Sequence, residues 1–181
     1  EKRHPGSCFV SRMTEDNPTP LLGSIESTNP CGEQPLLPYE SCTLGSINLA
    51  RMVEGGKVDY PRLKNVVHAA VHFLDNVLEI NNYPLEIIEK TSRKTRKIGL
   101  GVMGFADMLI EMSVAYDSDQ ATLAAEETMS FIRDEARAAS EQLGRKRGNF
   151  EAYEGSLFDK HATPYMRNAT ATTIAPTGSI S

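Results

Sequence analysis

Apolar residues recur at helical spacing through two long stretches and crowd into short runs elsewhere, and this contrast sets the expected order of elements. From Cys8 to Met13 a short apolar run predicts a strand, closed by the turn-rich Asp16-Asn17-Pro18-Thr19-Pro20. Residues 23–41 carry prolines at 30, 35 and 38 and no sustained period, which predicts an irregular loop, unusually long for a compact domain. Ser46 to Val53 alternates as a strand does and ends at Gly55-Gly56. Asp59 is placed to cap a helix from Tyr60 to Ile80, with Pro61 in the first turn and Leu63, Val66, Val67, Ala70, Val71, Leu74, Val77 and Leu78 on one stripe. A glycine-rich segment, Ile98 to Gly104, leads into a short apolar helix from Phe105 to about Met112. A third helix starts near Asp117 or Ser118 and runs to about Leu143, closed by Arg145-Lys146-Arg147 and Gly148. Thr170 to Ala175 reads as a buried strand ending at Pro176. Strands alternating with long helices predict an α/β fold with parallel pairing.

Composition narrows the partners. The 181 residues, 40% hydrophobic, are enough for one globular core. Nineteen Lys+Arg against 24 Asp+Glu give a net charge of −5, and no basic stripe interleaves with aromatics, so nucleic acid and anionic membranes are poor partners. Three cysteines, with no apolar run near the ~20 residues of a membrane span, point to a reducing cytoplasm, where a disulfide is catalytic more often than structural. The opening Glu1-Lys2-Arg3-His4-Pro5 and the closing Thr177-Gly178-Ser179-Ile180-Ser181 lead us to expect an internal piece, cut at both ends.

The chemistry concentrates in the long loop. Asn29-Pro30-Cys31-Gly32-Glu33-Gln34 sets a thiol, a carboxylate and an amide close together, and Cys42 follows at the mouth of the next strand. Proline and glycine around Cys31 favour a tight bend that pushes one sulfur forward. The plain alternative is a polar turn with an incidental buried cysteine. Cys31 as an ionised nucleophile of a thiol hydrolase or peroxidase needs a nearby base or helix N-terminus, and Glu33 alone works against ionisation.

Other motifs compete. Gly99-Leu100-Gly101-Val102-Met103-Gly104 fits the dinucleotide-binding spacing, with Asp117 as the ribose acid, but basic Lys94-Thr95-Arg96-Lys97 stands where an apolar first strand belongs. Close packing of strand and helix is the simpler reading of these glycines. His68 and His72 share one helix at metal-clip spacing, yet we place them opposite the apolar stripe, on a solvated face. Lys90, Arg93, Lys94, Arg96 and Lys97 read as a solvated connector. Pro176-Thr177-Gly178-Ser179-Ile180-Ser181 puts small and hydroxyl residues directly after a strand, in the manner of a phosphate loop.

Taken together, Ser27 to Leu36, Tyr39-Glu40-Ser41-Cys42, Leu44 to Leu49, Arg96 to Asp107 and Ala175 to Ser181 resemble the catalytic core of ribonucleotide reductases, along nearly all of the chain. The resemblance implies part of a ten-stranded α/β barrel with a central finger loop, here about 23–41, and a substrate phosphate loop at about 176–181. It implies that Cys31 is the thiyl radical that abstracts the ribose 3′ hydrogen and that Glu33 is the general base on the 3′ hydroxyl. Asn29 would orient the ribose, and Cys42 would be one half of the reducing dithiol, its partner lying upstream of this chain. Pro176, Thr177, Gly178, Ser179 and Ser181 would hold the substrate diphosphate.

Asn-Pro-Cys-Gly-Glu and the short interval from Cys31 to Cys42 look most like the adenosylcobalamin-dependent enzymes. The implied reaction is reduction of ribonucleoside diphosphates to 2′-deoxyribonucleotides for DNA precursor synthesis, with a thioredoxin-like dithiol as reductant. Nucleotide effectors would act through regions outside the chain, and a homodimer is implied. A non-catalytic nucleotide-binding module is the alternative of another class. Cys8 reads as a buried strand residue, and the segment alone should be inactive.

Overall fold

The computed structural model describes residues 9–178 and Ile180. Its framework is a parallel pair of strands, β3 (Thr43–Asn48) and β6 (Ile98–Met103), in register from Thr43 opposite Ile98 to Asn48 opposite Met103. Helix α2 (Tyr60–Ile80) crosses back between them and packs on the pair, and α5 (Asp119–Arg147) packs on α2. The α/β class and parallel pairing are as the pattern predicts.

Strand β6 is buried almost throughout, as a parallel strand covered on both faces must be. Ile98, Leu100 and Val102 point into the core with Leu63, Val67, Val71, Leu74 and Leu78 of α2. The α5 face contributes Ala121, Ala136 and Ala139 around Ile132, and such small residues bring the two helices close together. Asp59 caps α2 by accepting from Arg62 N at 3.0 Å, and Ser118 caps α5 by accepting from Ala121 N at 3.2 Å. α5 continues past Leu143 to Arg147 and ends where Gly148 adopts a φ of 86°.

Several expectations need correction. Over its described residues, the run expected as a strand from Cys8 to Met13 is instead a short exposed helix, α1 (Val10–Glu15), which pairs with no strand among the described residues, and Thr14 Oγ1 bonds back to Val10 O. Cys8 itself lies outside the described residues. The long loop contains a hairpin of β1 (Ser27–Thr28) and β2 (Pro35–Leu36). The strand expected over Ser46–Val53 begins and ends earlier: Asn48 Oδ1 accepts from Ala50 N, turning Leu49–Met52 into a 3-10 helix that buries Leu49 and Met52. The following β4 (Val53–Glu54) and β5 (Lys57–Val58) form a second hairpin across Gly55 and Gly56, both at positive φ.

The basic connector is largely α3 (Glu86–Thr95), and its last two cations are not solvated: Arg96 and Lys97 are buried at 5% and 1% exposure. Of the two histidines expected on a solvated face, His72 is exposed and His68 is half-buried. They border the seam with α5, where His68 Nε2 meets Glu135 at 2.7 Å and His72 Nε2 accepts from Arg147 at 2.8 Å. The helix from Phe105 is α4 (Phe105–Glu111), and α6 (Leu157–Lys160) is a single late turn. The segment expected as a strand over 170–175 follows β6 as a parallel neighbour, but forms only the bridge of Thr172 to Leu100. Among the described residues no helix is long and apolar enough to cross a membrane.

Candidate active site

The hairpin β1–β2 presents its tip, Asn29 to Gln34, as a closed unit. Asn29 N donates to Gln34 O, Asn29 Oδ1 accepts from Gln34 N at 3.1 Å, and Gly32 N donates to Asn29 O at 3.0 Å. The last bond closes a β-turn with Pro30 and Cys31 at its centre. Proline presets φ at the first central position, and Gly32 follows at a φ of 89°, where a side chain would be strained. Cys31 is thereby carried exposed at the tip. The bend expected from the sequence is present, and its cysteine is not a buried core residue.

Two threonines of the last segment fix this tip. Gln34 is buried and its Nε2 donates to Thr170 Oγ1 at 3.2 Å, while Thr173 Oγ1 donates to the Glu33 carbonyl at 2.9 Å. The approach is possible because Gly99 and Gly101 present no side chain on that face of β6. A Cβ on Gly99 would lie 2.5 Å from Thr173 Cγ2, and one on Gly101 would lie 2.2 Å from the Thr173 carbonyl oxygen. The glycines thus serve close packing, as expected, but against segment 172–174 rather than a helix. Both lie within the strand, not in a turn after it, which is not the placement a dinucleotide-binding loop requires.

Cys42 sits just before β3, half-buried. It shares with Asn29 a groove of about 520 Å³ that also takes in Pro30, Tyr39 and Glu40. Burial first, then the negative charges of Glu33 and Glu40, push the Cys42 thiol up to about 11, against an opposing pull from the Lys97 ammonium. The group is therefore an S–H at neutral pH, unlike an ionised nucleophile. Glu33 Oε2 is buried and finds no hydrogen-bond partner among the described residues. An uncompensated buried carboxylate oxygen is costly, and the residues that tolerate it are usually shaped for an external donor.

The candidate phosphate loop stands apart from this groove. Pro176 and Gly178 are exposed, and Thr177 lines a second cavity of about 520 Å³ with Gly104 and Phe105 at the start of α4 and Tyr116 beyond it. Ser179 and Ser181 lie outside the described residues. The structure brings Asn29, Glu33 and Cys42 together and joins Thr177 to them only through the strand-like segment 170–174. Among the described residues no cluster of His, Cys, Asp and Glu could hold a metal ion.

Sequence reasoning missed three residues around the thiols. Lys97 and Glu40 form a buried pair beneath Cys42, with Nζ 2.7 Å from Oε2, and Thr173 holds the tip. A lysine directly before an apolar strand was the available signal for the first.

Residues 1–165 match the family described as ribonucleotide reductase, barrel domain. The chain is 54% identical over 178 residues to the vitamin B12-dependent ribonucleoside-diphosphate reductase of Thermoplasma acidophilum, covering 98% of this chain and 23% of that one. The protein of the same name from Mycobacterium tuberculosis is 49% identical over 177 residues, again 98% of this chain and 25% of the relative. The ribonucleoside-diphosphate reductase subunit alpha of Chlamydia pneumoniae is 34% identical, over 91% of this chain and 16% of that protein. The chain thus spans about a quarter of the two vitamin B12-dependent relatives. Among solved structures, the class Id ribonucleotide reductase alpha subunit of Actinobacillus ureae superposes with a TM-score of 0.74, at 24% identity, over 94% of this chain and 33% of that one.

Proposed function

The chain belongs to the ribonucleotide reductase barrel-domain family, and on that premise we propose that the whole protein reduces ribonucleoside diphosphates to 2′-deoxyribonucleotides by thiyl-radical chemistry. The observation that carries the reading is the tip itself: a turn that thrusts Cys31 out, followed two residues later by a buried carboxylate oxygen without a partner, beside a protonated thiol. In this reading the hairpin is the finger loop of a ten-stranded barrel, and residues 1–181 supply part of that barrel.

The division of labour follows from the environment of each group. The Cys31 radical takes the 3′ hydrogen of the ribose and returns it at the end. Glu33 Oε2, unpartnered and desolvated, accepts the 3′ hydroxyl proton, so that the 2′ hydroxyl leaves as water. Asn29, at the neck of the tip, orients the ribose, which restricts the attack to one hydrogen. Cys42 and a second thiol from outside this chain together give up two protons and two electrons and become a disulfide. The balance is ribonucleotide plus dithiol to deoxyribonucleotide, water and disulfide. A thiol held near 11 suits this step, since it keeps its hydrogen until the sugar radical takes it. Pro176, Thr177, Gly178, Ser179 and Ser181 would hold the diphosphate.

The radical source in this reading is adenosylcobalamin, in keeping with the names of the two vitamin B12-dependent relatives. When bound, that group supplies a carbon-centred radical. An exposed Cys31 at the end of a rigid turn fits a group that must reach the sulfur from outside the hairpin. A thioredoxin-like dithiol would regenerate Cys42, in a reducing cytoplasm. Nucleotide effectors and a second subunit would bind elsewhere on the protein.

The test is deoxynucleotide formation by the full-length protein from ribonucleoside diphosphates and dithiothreitol, with and without adenosylcobalamin. Cobalamin-dependent product is expected. Product only with an iron or manganese radical subunit would overturn the cofactor but not the reaction. Folded, nucleotide-binding protein inactive under all these conditions would replace the reading with that of a binding module.

A further inference from the structure

Lys97 and Glu40 are both buried at the side chain, 1% and 0% exposed. Removing two charges from water costs several kcal/mol for each ion, and well-packed apolar residues often stabilise a core equally well. The hydrogen bonds of the pair indicate what it holds. Lys97 Nζ donates to the Pro35 carbonyl at 3.2 Å, on the returning arm of the hairpin. The Glu40 carboxylate accepts from Leu37 N at 2.8 Å and from Thr95 Oγ1 at 2.5 Å. The Lys97 carbonyl accepts from Thr43 N, the residue after Cys42. The pair therefore gathers the hairpin arm, the approach to Cys42 and the start of β6.

We propose that the Lys97–Glu40 pair is a positioning device for the reaction, fixing the arm of the hairpin that bears Cys31 relative to the seat of Cys42 so that both thiols address one substrate. The inference rests on the reductase reading above. Neither side chain touches substrate; both act through Cys42 and the hairpin. The charged groups facing Cys42 are Glu33 from the tip, Glu40 from its own approach and Lys97 from the start of β6. Exchange of the pair alters two of the three as well as the anchor of the arm.

The test uses two variants of the full-length protein in its reduced state, Glu40→Gln and the double variant Glu40→Gln/Lys97→Met. The second leaves no unpaired buried charge and so remains folded. At a fixed pH below the Cys42 midpoint, Glu40→Gln is expected to raise the rate of iodoacetamide labelling at Cys42 severalfold, because one of the two carboxylates that hold the thiol protonated is gone. The double variant is expected to keep the nucleotide KM within about twofold and to lose at least about tenfold in kcat. A pair that only stabilises the fold would lower the Tm and leave the kcat of the folded double variant unmoved. Either an unchanged labelling rate in Glu40→Gln or a parental kcat in the double variant overturns the proposal. A parent protein that forms no deoxynucleotide would refute the reductase reading, while the labelling rate would still decide whether the pair governs Cys42.

Discussion

The guanidinium of Arg96 grips the fully buried carboxylate of Asp75 through Nε at 3.0 Å and a terminal nitrogen at 2.7 Å, joining the start of β6 to the middle of α2. Arg147 from α5 reaches the other oxygen at 3.0 Å, and Asn168 donates to Asp75 at 3.1 Å. Burial alone pushes the Asp75 carboxyl up, but the Arg96 hydrogen bonds and charge, the Arg167 charge and the Asn168 amide outweigh it and hold the group below its ordinary value. A depressed folded value means that the stability is present above the unfolded value of about 3.9. It is lost as pH falls below about 4 toward the folded value. Asp75→Asn in the full-length protein is expected to cost about 3 kcal/mol at neutral pH, because it strands buried guanidinium charge. It should also flatten the acid limb of the stability curve. Thermal unfolding between pH 3 and 7 measures both, and a variant as acid-sensitive as the parent would refute this role.

Gly101→Ala should be disproportionately damaging. Its Cβ would meet the Thr173 carbonyl oxygen at 2.2 Å and Ile174 Cα at 3.3 Å, backbone atoms that cannot swing aside. A loss of at least about 2 kcal/mol is expected, along with activity, since Thr173 anchors the Glu33 carbonyl. Gly45→Ala is the control: its Cβ meets only the flexible end of Leu74 at 3.4 Å, and a cost below about 1 kcal/mol is expected. Comparable Tm values for the two would contradict the packing argument.

Cys31→Ser is expected to abolish deoxynucleotide formation while leaving the Tm of the full-length protein essentially unchanged. The side chain is exposed, and the turn is held by Asn29 and Gly32 backbone bonds that the exchange does not touch. Residual reduction by this variant would remove Cys31 from the radical role.

Cys42 should resist alkylation. With its thiol near 11, the thiolate fraction at pH 8 is about 100-fold below that of a free cysteine near 8.5 to 9, and labelling should keep rising about tenfold per pH unit to about pH 10, where a free cysteine has levelled off. Peptide mapping after iodoacetamide treatment of the reduced protein reads this directly. Rapid labelling of Cys42 at neutral pH would mean that the thiol is neither buried nor faced by the carboxylates of Glu33 and Glu40 as the structure has it.

The periodic parts of this fold were legible. The cap at Asp59 and the bounds of α2 follow from local chemistry and one apolar stripe, and the close of α5 from its basic last turn and Gly148. The misreadings have a common cause, which is that a partner distant in sequence decides the outcome. Arg96 and Lys97 read as solvated because nothing nearby in the chain announces Asp75 or Glu40. Residues 9–13 carry strand-like composition but pair with no strand among the described residues, so the local helix wins. Of the candidate site, the turn at Cys31 was legible because proline and glycine dictate it. The Thr173 anchor was not, because it depends on the bare face that Gly99 and Gly101 offer.

The parallel pairing of β3 with β6 joins Thr43 to Ile98, and the anchors of the tip, Gln34 to Thr170 and Glu33 to Thr173, reach farther still along the chain. Contacts of such separation form late, because the intervening chain must first be ordered. During synthesis the helices can gather and Lys97 can take hold of the returning arm of the hairpin while its tip still lacks an anchor. The thiols therefore come into register only once the segment around Thr173 has emerged and settled along β6, which makes the chemical centre the last part of this region to mature.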